Sequence, residues 1–440
     1  MRLEARETWV LLATLAALVL VGAPTAGSEP WLFEPGQVDP RGPLGPIVRL
    51  ADEKWNANFL SAPILLAAVA VAAAAVTVLA GVALSRWSAL LLAAGVAAAL
   101  LVPPVALQVG LRQATQPWFF TNDSTYQIEI AGDAMLDGDT PYGRDYRRSG
   151  LERFYSLDGS VTEEAREQRV ALRHFAYFPG TALTAAAWRS LPRPWDDYRF
   201  FVLLATLAAL PAALLLPGRF GWRVAAGAAL AGNPLAVHAA WFGTADAACL
   251  VSTLVGFALL ARRRVVLGAV ALALAVLLKQ FALVALPFAV LILVARSSRR
   301  ELQLAGATFG GLVLLGFVPF MLLAGPQALW DDTVAYGTAT YPIVGYGLSE
   351  LLFQAGVVED RLGAYPFVWL ALLVWAPVTV WLAIRTWRSG ARLSVALLAF
   401  GLSLFTLVFV ARSFHSSYLV YPLSAAIAAA LAAAAEQEEA

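Results

Sequence analysis

The chain has 440 residues, of which 60% are hydrophobic and only 14% are charged, and its formal net charge is +1. Soluble globular chains carry about 25% charged residues, so this composition excludes a soluble enzyme and a disordered chain. Cys249 is the single cysteine and can form no internal disulfide, which excludes a disulfide scaffold. The near-zero charge does not point to a nucleic-acid partner. We therefore expect an all-α integral membrane protein in contact with membrane lipid.

Apolar runs separated by arginine clusters predict the membrane spans. The expected spans cover residues 9–24, 59–84, 88–110, 198–216, 302–324, 366–384, 393–411 and 418–435. The first run follows Arg2 and Arg6 and could be a signal peptide, but Pro24 disfavours cleavage, so we expect an uncleaved span.

The distribution of arginines predicts the orientation of the chain. With the N-terminus in the cytoplasm, the short inside segments hold most of the short-loop arginines, from Arg2 and Arg6 to Arg388 and Arg392. Most acidic residues then fall on the opposite side. We expect a multi-pass protein of the cell membrane whose active site, if it has one, faces the extracytoplasmic side.

Residues 111–197 predict a polar extracytoplasmic loop. Asp123 directly follows a predicted span and should lie at the boundary between lipid and water. After it we expect a helix over Ser124–Leu136, a turn over Asp137–Gly143, a polar helix over Val161–His174 and an interfacial helix over Phe178–Trp188. Asp is also a favoured helix N-cap, so a catalytic and a capping role both stay open for Asp123.

The segment 265–295 predicts a helical hairpin. Its two apolar runs, Val265–Leu278 and Phe281–Val294, are each about 21 Å long and too short for a hydrocarbon core of ~30 Å. Arginines flank both ends, so both ends favour the cytoplasm and Lys279 lies at the outer tip. A lysine at this depth needs a water-filled cavity or a negative partner.

The preceding segment, 224–261, has the same arginine-flanked pattern and predicts a second hairpin. Asn233-Pro234 should break it, and its outer part contains His238 and Asp246. Asp246 could form a structural ion pair with Lys279 across the two hairpins. Three histidines spread over the chain give no metal-ligand spacing, so we predict no metal site and no cofactor.

Four motifs, in this order along the chain, resemble those of a known enzyme family. They are Asp123–Tyr142 (DSTYQIEIAGDAMLDGDTPY), Asn233-Pro234 with Gly243 and Asp246, Lys279 followed by Leu286-Pro287, and Phe414-His415 followed by Tyr418 and Tyr421-Pro422. Together they are similar to the pattern of glycosyltransferase family 87, in the GT-C superfamily of integral-membrane glycosyltransferases. The likeness covers about residues 115–295 and 410–425.

The resemblance implies a fold, a reaction and a set of site residues. It implies a GT-C-like bundle of helices that moves a hexose such as mannose, with inversion, from a polyprenyl-phosphate donor to an extracytoplasmic glycolipid or glycan acceptor. Asp123 would be the general base, which takes the proton of the acceptor hydroxyl. Lys279, Arg412 and His415 would hold the donor phosphate. The acceptor or sugar would contact Asp139, Tyr142, Asp246 and Tyr418.

Several of these residues also have plainer interpretations. Asp137-Gly-Asp139 mimics a metal-binding D-x-D motif, but a solvated turn is the more common origin of this pattern. His174 and His238 are typical of satisfied histidines at an interface. The tyrosine-rich loop Trp330–Tyr346 could be a sugar platform or an ordinary aromatic belt.

We expect a single domain over residues 1–440, with N-terminal spans in 1–110, the loop in 111–197 and a helical core in 198–440. The alternative function is a secondary transporter, in which broken helices, Lys279 and Asp246 line a substrate path. The crowding of polar residues on one face, and the long acidic loop, favour the glycosyltransferase.

Overall fold

The chain folds almost entirely into helices. The computed structural model describes residues 2–26, 38–53, 56–155 and 170–439. Within these ranges, the strands are Val344–Gly345 (β1) and Ser413–Phe414 (β2), which pair in parallel. Most of the helix predicted over Val161–His174 lies outside the described residues, and Ala171–Arg173 at its end forms one short 3-10 turn.

The helices follow one another with short connections. In chain order, the described α-helices are α1 (Ala5–Ala26), α2 (Gly45–Glu53), α3 (Asn56–Leu79), α4 (Arg86–Gln113), α5 (Asp123–Leu136), α6 (Pro179–Arg189), α7 (Tyr198–Leu207), α8 (Ala209–Ala213), α9 (Phe220–Gly232), α10 (Pro234–Phe242), α11 (Asp246–Ala261), α12 (Val265–Leu278), α13 (Leu286–Arg296), α14 (Arg299–Ala324), α15 (Pro326–Trp330), α16 (Leu348–Gln354), α17 (Phe367–Leu370), α18 (Ala376–Arg388), α19 (Leu393–Val410) and α20 (Val420–Glu439). A π-helical turn, Ala371–Trp375, joins α17 to α18.

Seven helical stretches of the described chain are long and apolar enough to cross a membrane. They are Ala5–Ala23, Phe59–Leu79, Arg86–Gln113, Arg299–Ala324, Phe367–Arg388, Leu393–Val410 and Ser416–Glu438. The shorter apolar helices are Tyr198–Ala213, Asp246–Ala261, Val265–Leu278 and Gln280–Arg296. The prediction of an all-α, multi-pass membrane protein is confirmed, and every predicted span except 198–216 corresponds to a long apolar helix.

The predicted span over 198–216 is wrong in its length. The segment forms two short helices, α7 and α8, which meet at Ala208. Pro211 lies in the first turn of α8, where it has no amide hydrogen for the Leu207 carbonyl and its ring disfavours continuous α-helix. The proline therefore ends α7 well before it reaches the length of a span.

The two breaks predicted from proline and lysine are confirmed. Asn233 separates α9 from α10, and its side chain accepts a hydrogen bond from the Ala236 amide at 3.0 Å, as an N-cap does. Lys279 separates α12 from a 3-10 helix, Gln280–Ala285, which leads into α13.

The described chain forms two compact units. Unit 1 contains Met1–Asn122, Pro192–Ala247 and Ala430–Ala440, and unit 2 contains Asp123–Leu191 and Ala248–Ala429. These boundaries differ from those predicted from the sequence, because the predicted loop 111–197 is shared between the units. Its middle part, which begins at Asp123, packs within unit 2.

Unit 1 contains a buried ion network at the start of α7. The Asp197 carboxylate accepts from Arg199 at 2.7 and 2.8 Å and from Arg112 at 2.8 Å. Arg199 is fully buried and also donates to the Phe120 carbonyl. Burial by itself raises the pKa of Asp197, but the two guanidinium groups outweigh this effect and hold that pKa below its usual range.

Asp197→Asn tests this network. Asn keeps the capping ability of the side chain but leaves two buried arginines without a counter-charge, so the free energy of unfolding should fall by about 3–5 kcal/mol. Because the lowered pKa stabilises the fold only above the ordinary Asp pKa of about 4, the difference from wild type should shrink as the pH falls below that value.

The measurement is unfolding in detergent at several pH values. Asp39→Asn is the matched control, since Asp39 pairs with Arg41 on the surface and both side chains are more than two-thirds exposed, at 73% and 69%. Equal stability of the Asp197 and Asp39 variants would contradict the assignment.

Candidate functional site

Asp123 is the first residue of α5 rather than the residue before it. Its Oδ1 accepts a hydrogen bond from the Ser124 amide at 2.8 Å, and the residue is half-buried. A carboxylate in the first turn of a helix interacts favourably with the helix dipole. The expected helix over Ser124–Leu136 is confirmed.

The turn after α5 has the predicted position. Gly138 and Gly143 both have positive φ, at 80° and 68°, which favours glycine. Asp139 is exposed, accepts from the Thr140 amide at 2.7 Å and pairs with Arg144 at 3.1 Å. These are the contacts of a solvated turn, the plainer of the two interpretations.

Tyr142 is engaged in packing. It is 2% exposed, its hydroxyl donates to the Tyr177 carbonyl at 2.8 Å, and its ring lies edge-on to Phe175 and Phe320. We expected Tyr142 to contact the sugar or acceptor. In the structure its hydroxyl instead fixes the backbone of Tyr177, because the helix end and the turn bury the ring completely.

The backbone at Lys279 is held in place by α6. The Thr181 hydroxyl donates to the Leu278 carbonyl at 2.6 Å. This carbonyl lies in the last turn of α12 and has no amide donor within the helix. A Cβ at Gly180 would lie 2.7 Å from the Leu277 backbone, so only glycine permits this approach. The predicted helix over Phe178–Trp188 therefore exists, and one of its faces is buried against α5 and α12. Its interfacial position stays a prediction.

The Lys279 ammonium lies among aromatic rings. Its Nζ is 5.0 Å from the centre of the Phe281 ring, 5.3 Å from that of Tyr418 and 6.0 Å from that of Tyr177, and the residue is only 7% exposed. We call these three rings the lysine cage. Cation–π attraction is stronger in a desolvated site, so the cage stabilises the charge.

His415 follows β2, and the pairing of β2 with β1 fixes its position. Its ring lies edge-on to Tyr418 at 5.4 Å and to Tyr341 at 6.3 Å, and the Tyr341 hydroxyl is 3.5 Å from Nε2. His415 thus contacts a ring of the lysine cage on one side and Tyr341 on the other.

Tyr336 and Tyr341 connect this group to Asp123. The two rings are 5.1 Å apart. Burial raises the pKa of both phenols, and the Asp123 carboxylate raises each of them further, so Asp123 lies within electrostatic range of both. We call Tyr177, Phe281, Tyr336, Tyr341 and Tyr418 the aromatic cluster. Lys279 and His415 border it, Tyr418 is part of it, and the Asp123 charge acts on two of its phenols.

Tyr336 lies on an element that the sequence did not predict. The segment expected as a tyrosine-rich loop over Trp330–Tyr346 contains a π-helix, Asp331–Thr340. π-Helical turns are rare and are frequent at functional sites. Apolar periodicity did not predict this π-helix, because the sequence is compared with the 3.6-residue repeat of an α-helix and the two-residue repeat of a strand.

Asp332 and His174 are site residues that the sequence analysis missed. Asp332 is 2% exposed, accepts from the Gly143 amide at 2.9 Å and lies 2.9 Å from His174 Nδ1. The His174 ring stacks on Tyr336 at 4.7 Å. His174 and Asp332 line a cavity of about 560 Å³, together with Arg144 and Arg173. The only available signal was an acidic pair, Asp331-Asp332, after a predicted span.

Arg412 has a structural role instead of the predicted phosphate-binding role. It is 1% exposed, and its guanidinium donates to the carbonyls of Tyr341 at 2.6 Å and of Gly363 and Arg361 at 3.1 Å. Through its planar fork of donors, Arg412 joins the backbone at Tyr341 and the backbone at 361–363 to its own segment. The prediction was wrong because the sequence does not reveal that these carbonyls surround the side chain.

Asp246 lies in unit 1, whereas the other predicted site residues lie in unit 2. It is 1% exposed and is the first residue of α11. Its role as an acceptor or sugar contact stays a prediction.

Within the described residues, no group of three or more His, Cys, Asp or Glu side chains is arranged to hold a metal ion. Comparison of the chain with protein-family models, curated proteins and solved structures gives no match. The residues and their geometry therefore carry the functional argument alone.

Arg412→Met should destabilise the protein without any ligand. The change removes three charge-assisted hydrogen bonds and leaves the Arg361 carbonyl with the Ile343 amide as its donor, and the free energy of unfolding should fall by about 3–5 kcal/mol. Arg147→Met is the control, because Arg147 is 54% exposed and pairs with Asp145 on the surface. Stability is measured by thermal unfolding in detergent. If the ligand-free Arg412 variant is as stable as wild type, the structural role is contradicted and a phosphate-binding role is favoured.

Proposed function

We propose that this protein is a membrane glycosyltransferase of the GT-C type. It moves a hexose from a polyprenyl-phosphate donor to an extracytoplasmic glycolipid or glycan acceptor. The observation that carries the proposal is the position of a lysine and a histidine at one aromatic cluster within unit 2. The charge of a carboxylate from a distant part of the sequence, Asp123, acts on two phenols of the same cluster.

The donor phosphate is assigned to Lys279 and His415. As the glycosidic bond breaks, negative charge grows on the leaving phosphate, and a cation held in a poorly solvated site stabilises it. The ammonium in the lysine cage is such a cation, since the rings restrict water around it. His415 contacts the Tyr418 ring of the cage, so its imidazole can donate to the same anion.

Asp123 is assigned as the general base. The acceptor oxygen attacks the anomeric carbon while the bond from that carbon to the phosphate oxygen breaks, and the product configuration is inverted. The proton of the acceptor hydroxyl passes to the Asp123 carboxylate, and polyprenyl phosphate leaves. Asp123 is fixed at the start of α5, and its charge raises the pKa values of Tyr336 and Tyr341 in the aromatic cluster beyond the effect of burial.

The phenols of the cluster are assigned to the sugar. Burial raises the pKa of Tyr336 and Tyr341, so both stay protonated at neutral pH and can donate a hydrogen bond. Their rings also offer apolar faces for the C–H face of a hexose. This assignment replaces Tyr142, whose hydroxyl is occupied by the Tyr177 carbonyl.

Asp123→Asn should reduce sugar transfer by about 10²–10⁴-fold, because the side chain keeps its size and loses its basicity. Asp133→Asn is the matched control on the same helix. Asp133 pairs with Arg189 at 2.8 Å away from the cluster, so that variant should transfer within about twofold of wild type.

The assay uses purified protein, a polyprenyl-phosphate hexose and a lipid acceptor, with thermal unfolding as a check of the fold. Near-normal transfer by a folded Asp123 variant would remove Asp123 as the base. Transfer absent from wild type, together with substrate uptake into vesicles, would favour the transporter instead.

Lys279→Met should weaken donor binding. By mass action, the donor should raise the free energy of unfolding of wild type by about 2.7 kcal/mol at one hundred times its dissociation constant. The unfolding midpoint of wild type should therefore rise, whereas that of the variant should not. Lys279→Arg keeps the charge and should retain part of the shift. An undiminished donor shift in the methionine variant would place the phosphate elsewhere.

A further inference from the structure

The N-terminal ends of α1, α4 and α9 meet at one end of unit 1. The Leu3 amide donates to the Leu84 carbonyl at 2.8 Å, which joins the start of α1 to the residues before α4. The start of α9 contributes two rings, Phe220 and Trp222. Each helix N-terminus carries a partial positive charge, so three such charges lie close together here.

Four guanidinium groups surround these two rings. The guanidinium carbons of Arg86 and Arg223 lie 4.9 and 5.9 Å from the centre of the Phe220 ring. Those of Arg6 and Arg219 lie 5.2 and 5.6 Å from the centre of the Trp222 ring. We call Arg6, Arg86, Arg219 and Arg223 the arginine cluster. The partial positive charge of a helix N-terminus repels cations. The arginine cluster therefore adds full positive charges next to the partial charges of the helix ends.

Carboxylates lie within the arginine cluster, and the Leu214 carbonyl accepts from Arg223 at 2.9 Å. Arg219 pairs with Glu4 and, at 2.7 Å, with Glu438. The Glu7 carboxylate accepts from the amides of Glu4 and Gly221, at 2.9 and 3.0 Å, and so caps two helices. Arg86 Nε is buried and has no hydrogen-bond partner among the residues that the structure describes.

We propose that the arginine cluster binds the phosphate of an anionic phospholipid head group. A phosphate diester has the charge and the oxygen geometry that guanidinium groups and helix N-termini recognise. Trp9 and Trp87, on the same two helices, expose 43% and 76% of their surface, as interfacial tryptophans do. Free phosphate shares the chemistry of the site, but these exposed indoles and the apolar helices that start here favour a lipid as its source.

This site is independent of the proposed glycosyl transfer. It lies entirely in unit 1, and none of its residues belongs to the aromatic cluster or to the groups that border it. By the arginine distribution, it faces the cytoplasmic leaflet, where anionic lipids are abundant. Its occupation would anchor α1, α4 and α9 to one head group.

The experiment measures lipid binding to the purified full-length protein in detergent. Phosphatidylglycerol should raise the unfolding midpoint and remain bound in native mass spectrometry, whereas phosphatidylcholine of the same chain length should do neither. Arg6→Gln combined with Arg86→Gln should weaken phosphatidylglycerol binding by at least about tenfold, since each basic residue near an anionic surface contributes a factor of about five.

Arg385→Gln is the matched control. Its guanidinium also lies over an indole, 5.5 Å from Trp381, but in unit 2 at a helix C-terminus, where the dipole favours a cation. This variant should bind phosphatidylglycerol like wild type. If the double variant does not fold, Arg6→Gln alone, at an exposed residue, should still lose about fivefold in affinity.

Three results would overturn the proposal. One is an equal response of wild type to phosphatidylglycerol and phosphatidylcholine. Another is wild-type affinity in the folded arginine variants. The third is a midpoint shift by millimolar inorganic phosphate as large as that by the lipid, because the site would then serve a free anion.

Discussion

One buried ammonium group constrains the arrangement of unit 2. Lys279 interrupts two apolar helices and is 7% exposed, and an ammonium in such a position requires compensation. The protein supplies aromatic faces on one side, through Phe281 and Tyr418, and a fixed backbone on the other, through Thr181 and Gly180. The break in the helix thus brings the Lys279 ammonium to the aromatic cluster.

Asp332, in the π-helix Asp331–Thr340, fixes another part of the aromatic cluster. Asp332 binds both the Gly143 amide and the His174 ring, and His174 stacks on Tyr336. One buried carboxylate thereby links the turn after α5, through His174, to Tyr336. A π-turn advances the chain less per residue than an α-turn, and this element presents Asp332, Tyr336 and the following Tyr341 to the same region.

The sequence was informative where a single residue type dictates the backbone. Pro234 and Pro211 cannot donate a backbone hydrogen bond, and Lys279 cannot lie in the middle of an apolar helix, so breaks near these residues were predictable in kind. The apolar runs likewise predicted the long helices, although the effect of Pro211 on 198–216 was overlooked. Asp123, Lys279, His415 and Tyr418 were predictable as a group only through the order of four motifs.

What stayed hidden depends on long-range geometry. A buried arginine that binds carbonyls from two distant segments has the same sequence signature as one that binds a phosphate, so Arg412 was misassigned. The residues Asp331–Thr340 show neither the apolar repeat of an α-helix nor that of a strand, so the sequence did not distinguish this π-helix from a loop. The Asp332–His174 contact joins residues 158 positions apart, and neither residue stands in a recognisable motif.

The two kinds of basic side chain are used differently in this protein, and the difference follows from their shapes. Arginine has five donors in a rigid plane, which suits fixed sets of acceptors such as the three carbonyls around Arg412 or the Asp197 carboxylate beside Arg199. Lysine is a point charge on a flexible stem, and it can follow an anion that arrives, reacts and leaves. The sequence contains many arginines but only two lysines, Lys54 and Lys279. One of these two, Lys279, lies in an aromatic cage whose Tyr418 ring contacts His415, and this is the arrangement on which we base the proposal of an exchangeable phosphate.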